Sequence, residues 1–196
     1  MTSNRISAIL LAAGFSSRMG KLKALLPWEG IPLINYQIEQ LQQAGIDEII
    51  VVLGYQSDQI KRVISKFAVK TIVNEQYEQG KSSSICKGAE SISHDTEGIV
   101  VTAVDQPVPC QTLKYLILHL TSYQPAAVIP VYQGKSGHPI LFHKDIRKDL
   151  LTVKEETKGM RDIIQNHHNI VAYLPVNDSA ILLNFNNPSD YKGGMT

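Results

Sequence analysis

Four short apolar runs alternate with segments patterned as helices, and that alternation constrains the fold more than any other feature of the chain. The runs are residues 6 to 12 (ISAILLA), 48 to 53 (EIIVVL), 69 to 73 and 98 to 104 (GIVVTAV). Each is strand-length, and all but residues 69 to 73 are nearly continuous in apolar character, as expected of strands buried on both faces. Between them, Ile34, Ile38 and Leu41 recur at helical spacing, with Gly45 placed to stop that helix. Ser57 is expected to cap a helix striped by Ile60, Val63, Ile64 and Phe67. Residues 80 to 84 open a third helix, and Leu113, Leu116, Ile117 and Leu120 stripe a fourth. Alternation of this kind to about residue 130 predicts stacked βαβ units around a parallel sheet. Beyond it, residues 126 to 131, 140 to 142, 170 to 174 and 181 to 183 are expected as strands, and 159 to 167 as a helix. The expected fold is one Rossmann-like α/β domain over residues 1–196. Its mixed, mostly parallel sheet is flanked by helices, and the less regular last third adds an antiparallel edge.

Composition narrows the partners. The chain carries 19 Lys and Arg against 18 Asp and Glu, a formal net charge of +1. Nothing in that balance favours nucleic acid or a membrane surface, so any phosphate binding depends on a few well-placed cations. Residues 6 to 13 are too short to span a bilayer. The two cysteines, Cys86 and Cys110, form no CxxC pair, and a reducing cytoplasm is the expected setting.

In open α/β sheets, ligands bind beyond the carboxyl ends of the strands. The loop after the first run reads Leu11-Ala12-Ala13-Gly14-Phe15-Ser16-Ser17-Arg18-Met19-Gly20-Lys21-Leu22-Lys23. Its glycines permit close backbone approach and its N–H groups can cradle phosphate oxygens, with Arg18 and Lys23 adding charge. It is neither a Walker A loop nor a GxGxxG turn, since Gly14 and Gly20 have five residues between them rather than four and Leu22 stands where Ser or Thr is required. A solvated basic surface loop is the competing reading. Asp105 closes the fourth run, where a carboxylate can bind Mg²⁺ or simply cap the next helix. Asn74, Gly80 and Ser84 can meet a base or ribose, or else form a cap and turn. His138 and Arg161 can serve a ligand or structure and solvent.

These segments together resemble the GT-A-like nucleotidyltransferases, in the branch holding the molybdenum cofactor cytidylyl- and guanylyltransferases. The loop LAAGFSSRMGKLKALLP matches that family's signature, and Asp105-Gln106-Pro107 matches its Asp-Gln-Pro motif. The spacing from Asn74 through Gly80 to Ser84, the Gly137-His138-Pro139 segment, and Gly159-Met160-Arg161 are also similar to family segments. The resemblance implies that Leu11, Ala12, Ala13 and Gly14 hold base and ribose through the backbone, and that Arg18 and Lys23 hold the triphosphate. It implies Asn74, Gly80 and Ser84 on the nucleotide side, Asp105 as the metal ligand, and Gln106, His138 and Arg161 on the acceptor side. Gln106 leans toward the cytidylyl branch. In the tail, Asn184 and Asn186 stand where many relatives carry Asp. Asn186 is an expected metal ligand through its amide oxygen, while Asp190 is read as a cap.

The expected activity is transfer of CMP from CTP to a molybdopterin-type cofactor with release of pyrophosphate. Mg²⁺ is the expected cofactor and a molybdoenzyme a possible partner. Alternatives are GTP or a sugar or polyol phosphate acceptor, a non-catalytic cofactor-binding accessory protein, and a dehydrogenase. The missing GxGxxG speaks against the last.

Overall fold

The computed structural model describes residues 5–16, 19–157 and 159–191. Along the chain run β1 (Ile6–Ala12), a small hairpin of β2 (Pro27–Trp28) and β3 (Ile31–Pro32), α1 (Leu33–Gln43), β4 (Glu48–Leu53), α2 (Ser57–Ile64) and β5 (Lys70–Val73). There follow α3 (Lys81–Glu90), β6 (Gly98–Ala103), α4 (Cys110–Tyr123), β7 (Ala127–Tyr132), β8 (Lys135–Ser136) and β9 (Ile140–His143). The last elements are α5 (Arg147–Leu151), α6 (Met160–Asn166), β10 (Val171–Pro175) and α7 (Pro188–Tyr191).

The main sheet has the order β5-β4-β1-β6-β9-β7-β10, with β8 paired to β7. The pairings among β1, β4, β5 and β6 are parallel, and so is β7 with β10. Strand β9 runs antiparallel to both neighbours, β6 and β7. The antiparallel strand is therefore interior rather than the expected edge, and the edge beyond it, β10, is parallel to β7.

Side chains of β1 alternate between two apolar layers. Ala8 and Leu10 join Ile34 and Ile38 of α1, Ile60 of α2 and Leu116 of α4 on one face. Ile9 and Leu11 join Ile85 of α3, Leu150 of α5 and Ile163 of α6 on the other. A strand buried on both sides by helices has no polar face, which explains the unbroken apolar run.

Two local expectations differ. Ser57 is the first residue of α2 rather than its cap; the preceding position is Gln56, in a left-handed conformation with φ 50°. Residues Ser179–Leu182 form a 3₁₀ turn in place of the strand expected at 181 to 183. Asp178 initiates that turn by accepting from the Ala180 N–H, so a short polar residue overrides the apolar run. Among the described residues, no helix is long and apolar enough to cross a membrane.

Candidate functional site

Sheet register brings the site together. Leu11 pairs with Ala103 and Ala12 with Leu53, while Leu53 pairs in turn with Val73. The segments leaving β1, β4, β5 and β6 therefore start from one rim. Strand β9 runs the other way, with Ile140 beside Val101, so its beginning lies at that same rim. This puts Gly137-His138-Pro139 next to Asp105, although they are distant in sequence.

Lys23 Nζ donates to Asp105 Oδ2 at 2.6 Å. Both side chains are largely enclosed, at 16% and 18% exposed. Asn186 Oδ1 lies 3.5 Å from the same ammonium. The tail is held there by Phe185, whose N–H donates to the Asp105 carbonyl at 3.0 Å. The buried Phe185 ring packs against Trp28 and Tyr191 at centroid distances of 5.1 and 5.5 Å. Two hard oxygens thus converge on one cation. Such a donor set suits a small divalent ion that takes its remaining ligands from phosphate and water. Asp190 Oδ2 accepts from the Asn186 and Asn187 N–H groups, the capping role expected of it.

A cavity of about 290 Å³ opens beside this pair. Leu11, Ala12, Ala13 and Gly14 line one wall, Gly80 and Ser84 another, and Lys23 and Asp105 complete it. Among the described residues, and apart from its two chain neighbours, no atom lies within 4 Å of where a Gly14 Cβ would be, so the missing side chain leaves open space on the cavity wall. Gly80 has φ +105°, and a Cβ there would meet the Glu155 side chain at 2.9 Å. Only glycine suits both demands. Asn74 is 4% exposed and does not line this cavity. Its amide donates to the Ser83 and Ser84 hydroxyls and accepts from the Gln76 N–H, so it shapes the wall from behind. Arg18 lies outside the described residues.

A second cavity of about 560 Å³ takes in Gln106, His138 and Arg161 together. Gln106 is 3% exposed, and its Oε1 has no hydrogen-bond partner among the described residues. His138 Nδ1 is likewise buried and unpartnered there. Burial pushes the His138 pKa down to about 4; Lys81 and Arg161 press the same way, while Asp105 opposes them. The imidazole is therefore neutral near pH 7, a hydrogen-bonding group rather than a charge.

Three contributors were not evident in the sequence. Gln37 of α1 is buried, and its Nε2 donates to the carbonyls of Ala103 and Gln106 at 3.0 and 2.7 Å, bracing the turn that carries Asp105. Glu155 Oε2 accepts from the Ser82 N–H and hydroxyl at 3.0 and 2.6 Å, tying the loop before α6 to the start of α3. Lys81 lines both cavities. One side of it meets solvent, while the cleft walls desolvate its ammonium and lower its pKa. Asp105 and Glu155 oppose that shift and Lys23 adds to it.

The MobA-like NTP transferase domain model matches residues 8–170. The molybdenum cofactor cytidylyltransferase of Escherichia coli is 28% identical over 187 residues, covering 95% of this chain and 93% of that protein. The nicotine blue oxidoreductase of Paenarthrobacter nicotinovorans is 25% identical over 185 residues, with 89% of each chain covered. Among solved structures, Rv0371c from Mycobacterium tuberculosis superposes with a TM-score of 0.85 at 25% identity, covering 98% of both chains. With the family model spanning most of its length, including the β1 loop and Asp105, the chain belongs to the MobA-like NTP transferase family and is a nucleotidyltransferase.

Proposed function

We propose that this enzyme transfers CMP from CTP to the terminal phosphate of a molybdopterin-type cofactor, in the cytoplasm and for a molybdoenzyme client. The observation that carries the reading is the Lys23–Asp105 pair at the edge of a glycine-walled cavity, with a second cavity alongside. The Escherichia coli relative supports the choice of cytidylyl donor and pterin acceptor, and the Gln106 side chain in the second cavity accords with it.

In this reading, the backbone from Leu11 to Gly14 holds the nucleoside, with Gly80 and Ser84 opposite and Asn74 supporting them. Arg18 and Lys23 hold the triphosphate. Asp105 and Asn186 would hold Mg²⁺ through their side-chain oxygens, and the ion would supply neutralisation of phosphate charge. Gln106, His138 and Arg161 receive the acceptor. An acceptor phosphate oxygen attacks the α-phosphorus in line. The bond from that phosphorus to the bridging oxygen breaks, and pyrophosphate leaves with the electron pair. The attacking oxygen is already anionic, so no residue has to remove a proton. Catalysis is then positioning and charge neutralisation, with Lys23 and Arg18 stabilising the leaving pyrophosphate. This use of paired charge favours nucleotidyl transfer over the oxidoreductase activity in the name of the Paenarthrobacter relative.

Pyrophosphate release measured with each of the four NTPs, Mg²⁺ and molybdopterin-type cofactor tests the assignment. CTP is expected to give the highest kcat/KM. Preference for GTP, or release only with a sugar or polyol phosphate, would replace the donor or the acceptor. Tight cofactor binding without turnover would favour an accessory role.

A further inference from the structure

Lys81 is the one described residue that lines both cavities. Its counterpart Lys23 is committed to Asp105 at 2.6 Å. Among the described residues, Lys81 has no ion-pair or hydrogen-bond partner, although two carboxylates are near enough to influence it. One of these, Asp105, is engaged by Lys23, and the other, Glu155, directs its Oε2 to Ser82. Arg161 adds a further positive charge to the second cavity. Gln106, 3% exposed, lines the same space, while its Oε1 is itself buried and has no partner among the described residues. An ammonium with no ion-pair partner among the described residues, placed where two cavities meet and with the Arg161 guanidinium on the second, is a site that a phosphate group satisfies.

We infer that Lys81 is an anion clamp shared by the two cavities: it takes the acceptor's phosphate and holds it toward the nucleotide's α-phosphate. This rests on the nucleotidyl-transfer reading. It assigns Lys81 a task separate from that of Lys23, which serves the triphosphate alone.

The test uses inorganic phosphate as the probe, titrated calorimetrically into the full chain loaded with Mg²⁺ and the non-transferable α,β-methylene analogue of CTP. Lys81→Met is expected to weaken phosphate binding by about tenfold or more, with the analogue's Kd changed by less than about threefold. Lys81→Arg is expected to restore phosphate binding to within about threefold. Melting curves establish that each variant is folded, and Lys81→Gln replaces Lys81→Met if the latter unfolds. Phosphate affinity that is absent in the wild type, or unchanged in Lys81→Met, overturns the inference. Loss of analogue and phosphate binding in equal proportion also overturns it, by moving Lys81 to the triphosphate. Failure of the analogue to bind the wild type defeats the underlying reading instead, and phosphate titrated without nucleotide then judges Lys81 alone.

Discussion

Lys23 Nζ and Asp105 Oδ2 lie 2.6 Å apart, joining the loop after β1 to the end of β6 across 82 positions of sequence. The ammonium occupies the place where Asp105 and Asn186 oxygens converge. Binding of a metal–triphosphate would exchange partners: Asp105 for the metal, Lys23 for phosphate. Lys23→Met is therefore expected to lower turnover by on the order of 10² to 10⁴, the scale of losing an electrostatic stabiliser. Steady-state pyrophosphate release checks this, with circular dichroism to confirm the fold.

Gly14 tests the cavity wall independently of charge. Apart from its chain neighbours, a Cβ there meets no atom of the described residues within 4 Å, so Gly14→Val is expected to fold with a Tm close to wild type. Its branched side chain would project into space assigned to the nucleoside. Nucleotide affinity should fall by about tenfold or more, measured by calorimetry. An unchanged affinity would remove Gly14 from the nucleotide site.

Gln37 tests the brace behind Asp105. Gln37→Leu removes the donor to two carbonyls, Ala103 and Gln106, in the buried interior. The Ala103 carbonyl keeps the Gln106 N–H; loss of the Gln37 donor to the Gln106 carbonyl should cost about 1–3 kcal/mol, read from denaturant unfolding. Because the brace positions Asp105, kcat should fall as well, with less effect on nucleotide affinity.

His138 gives the protein an acid-side dependence. Its folded pKa of about 4 lies below the ordinary value of 6.5, so the unfolded chain binds the proton more readily. Stability from this group is full above pH 6.5 and is lost as pH falls from there toward 4. Its size is up to about 3 kcal/mol. His138→Gln should flatten that part of the stability–pH curve, as measured by urea unfolding between pH 4 and 7. A slope unchanged by the substitution would show that His138 titrates normally.

Strands β1 and β4 were legible to the residue, because burial on both faces requires an apolar run that no other local structure explains as well. The antiparallel insertion of β9 was not legible. Its apolar residues say that it is buried, but direction and neighbours follow from packing alone. The turn at 179 to 182 was misread because Ile181 is fully buried while its backbone is not in the sheet. In the site, Lys23 and Asp105 were evident from motif and spacing. Gln37 and Glu155 act through contacts 66 to 73 residues away, and neither stands in a recognisable pattern. Lys81 reads in sequence as a solvated first-turn lysine, and only the meeting of two cavities around it says otherwise.

The central claim is that Asp105 enables metal-dependent transfer rather than merely closing a turn. Pyrophosphate release by Asp105→Ala with CTP, Mg²⁺ and acceptor measures this most directly. The account predicts turnover lower by a factor on the order of 10² to 10⁴ in a folded protein. Near-native rates in that variant would contradict it.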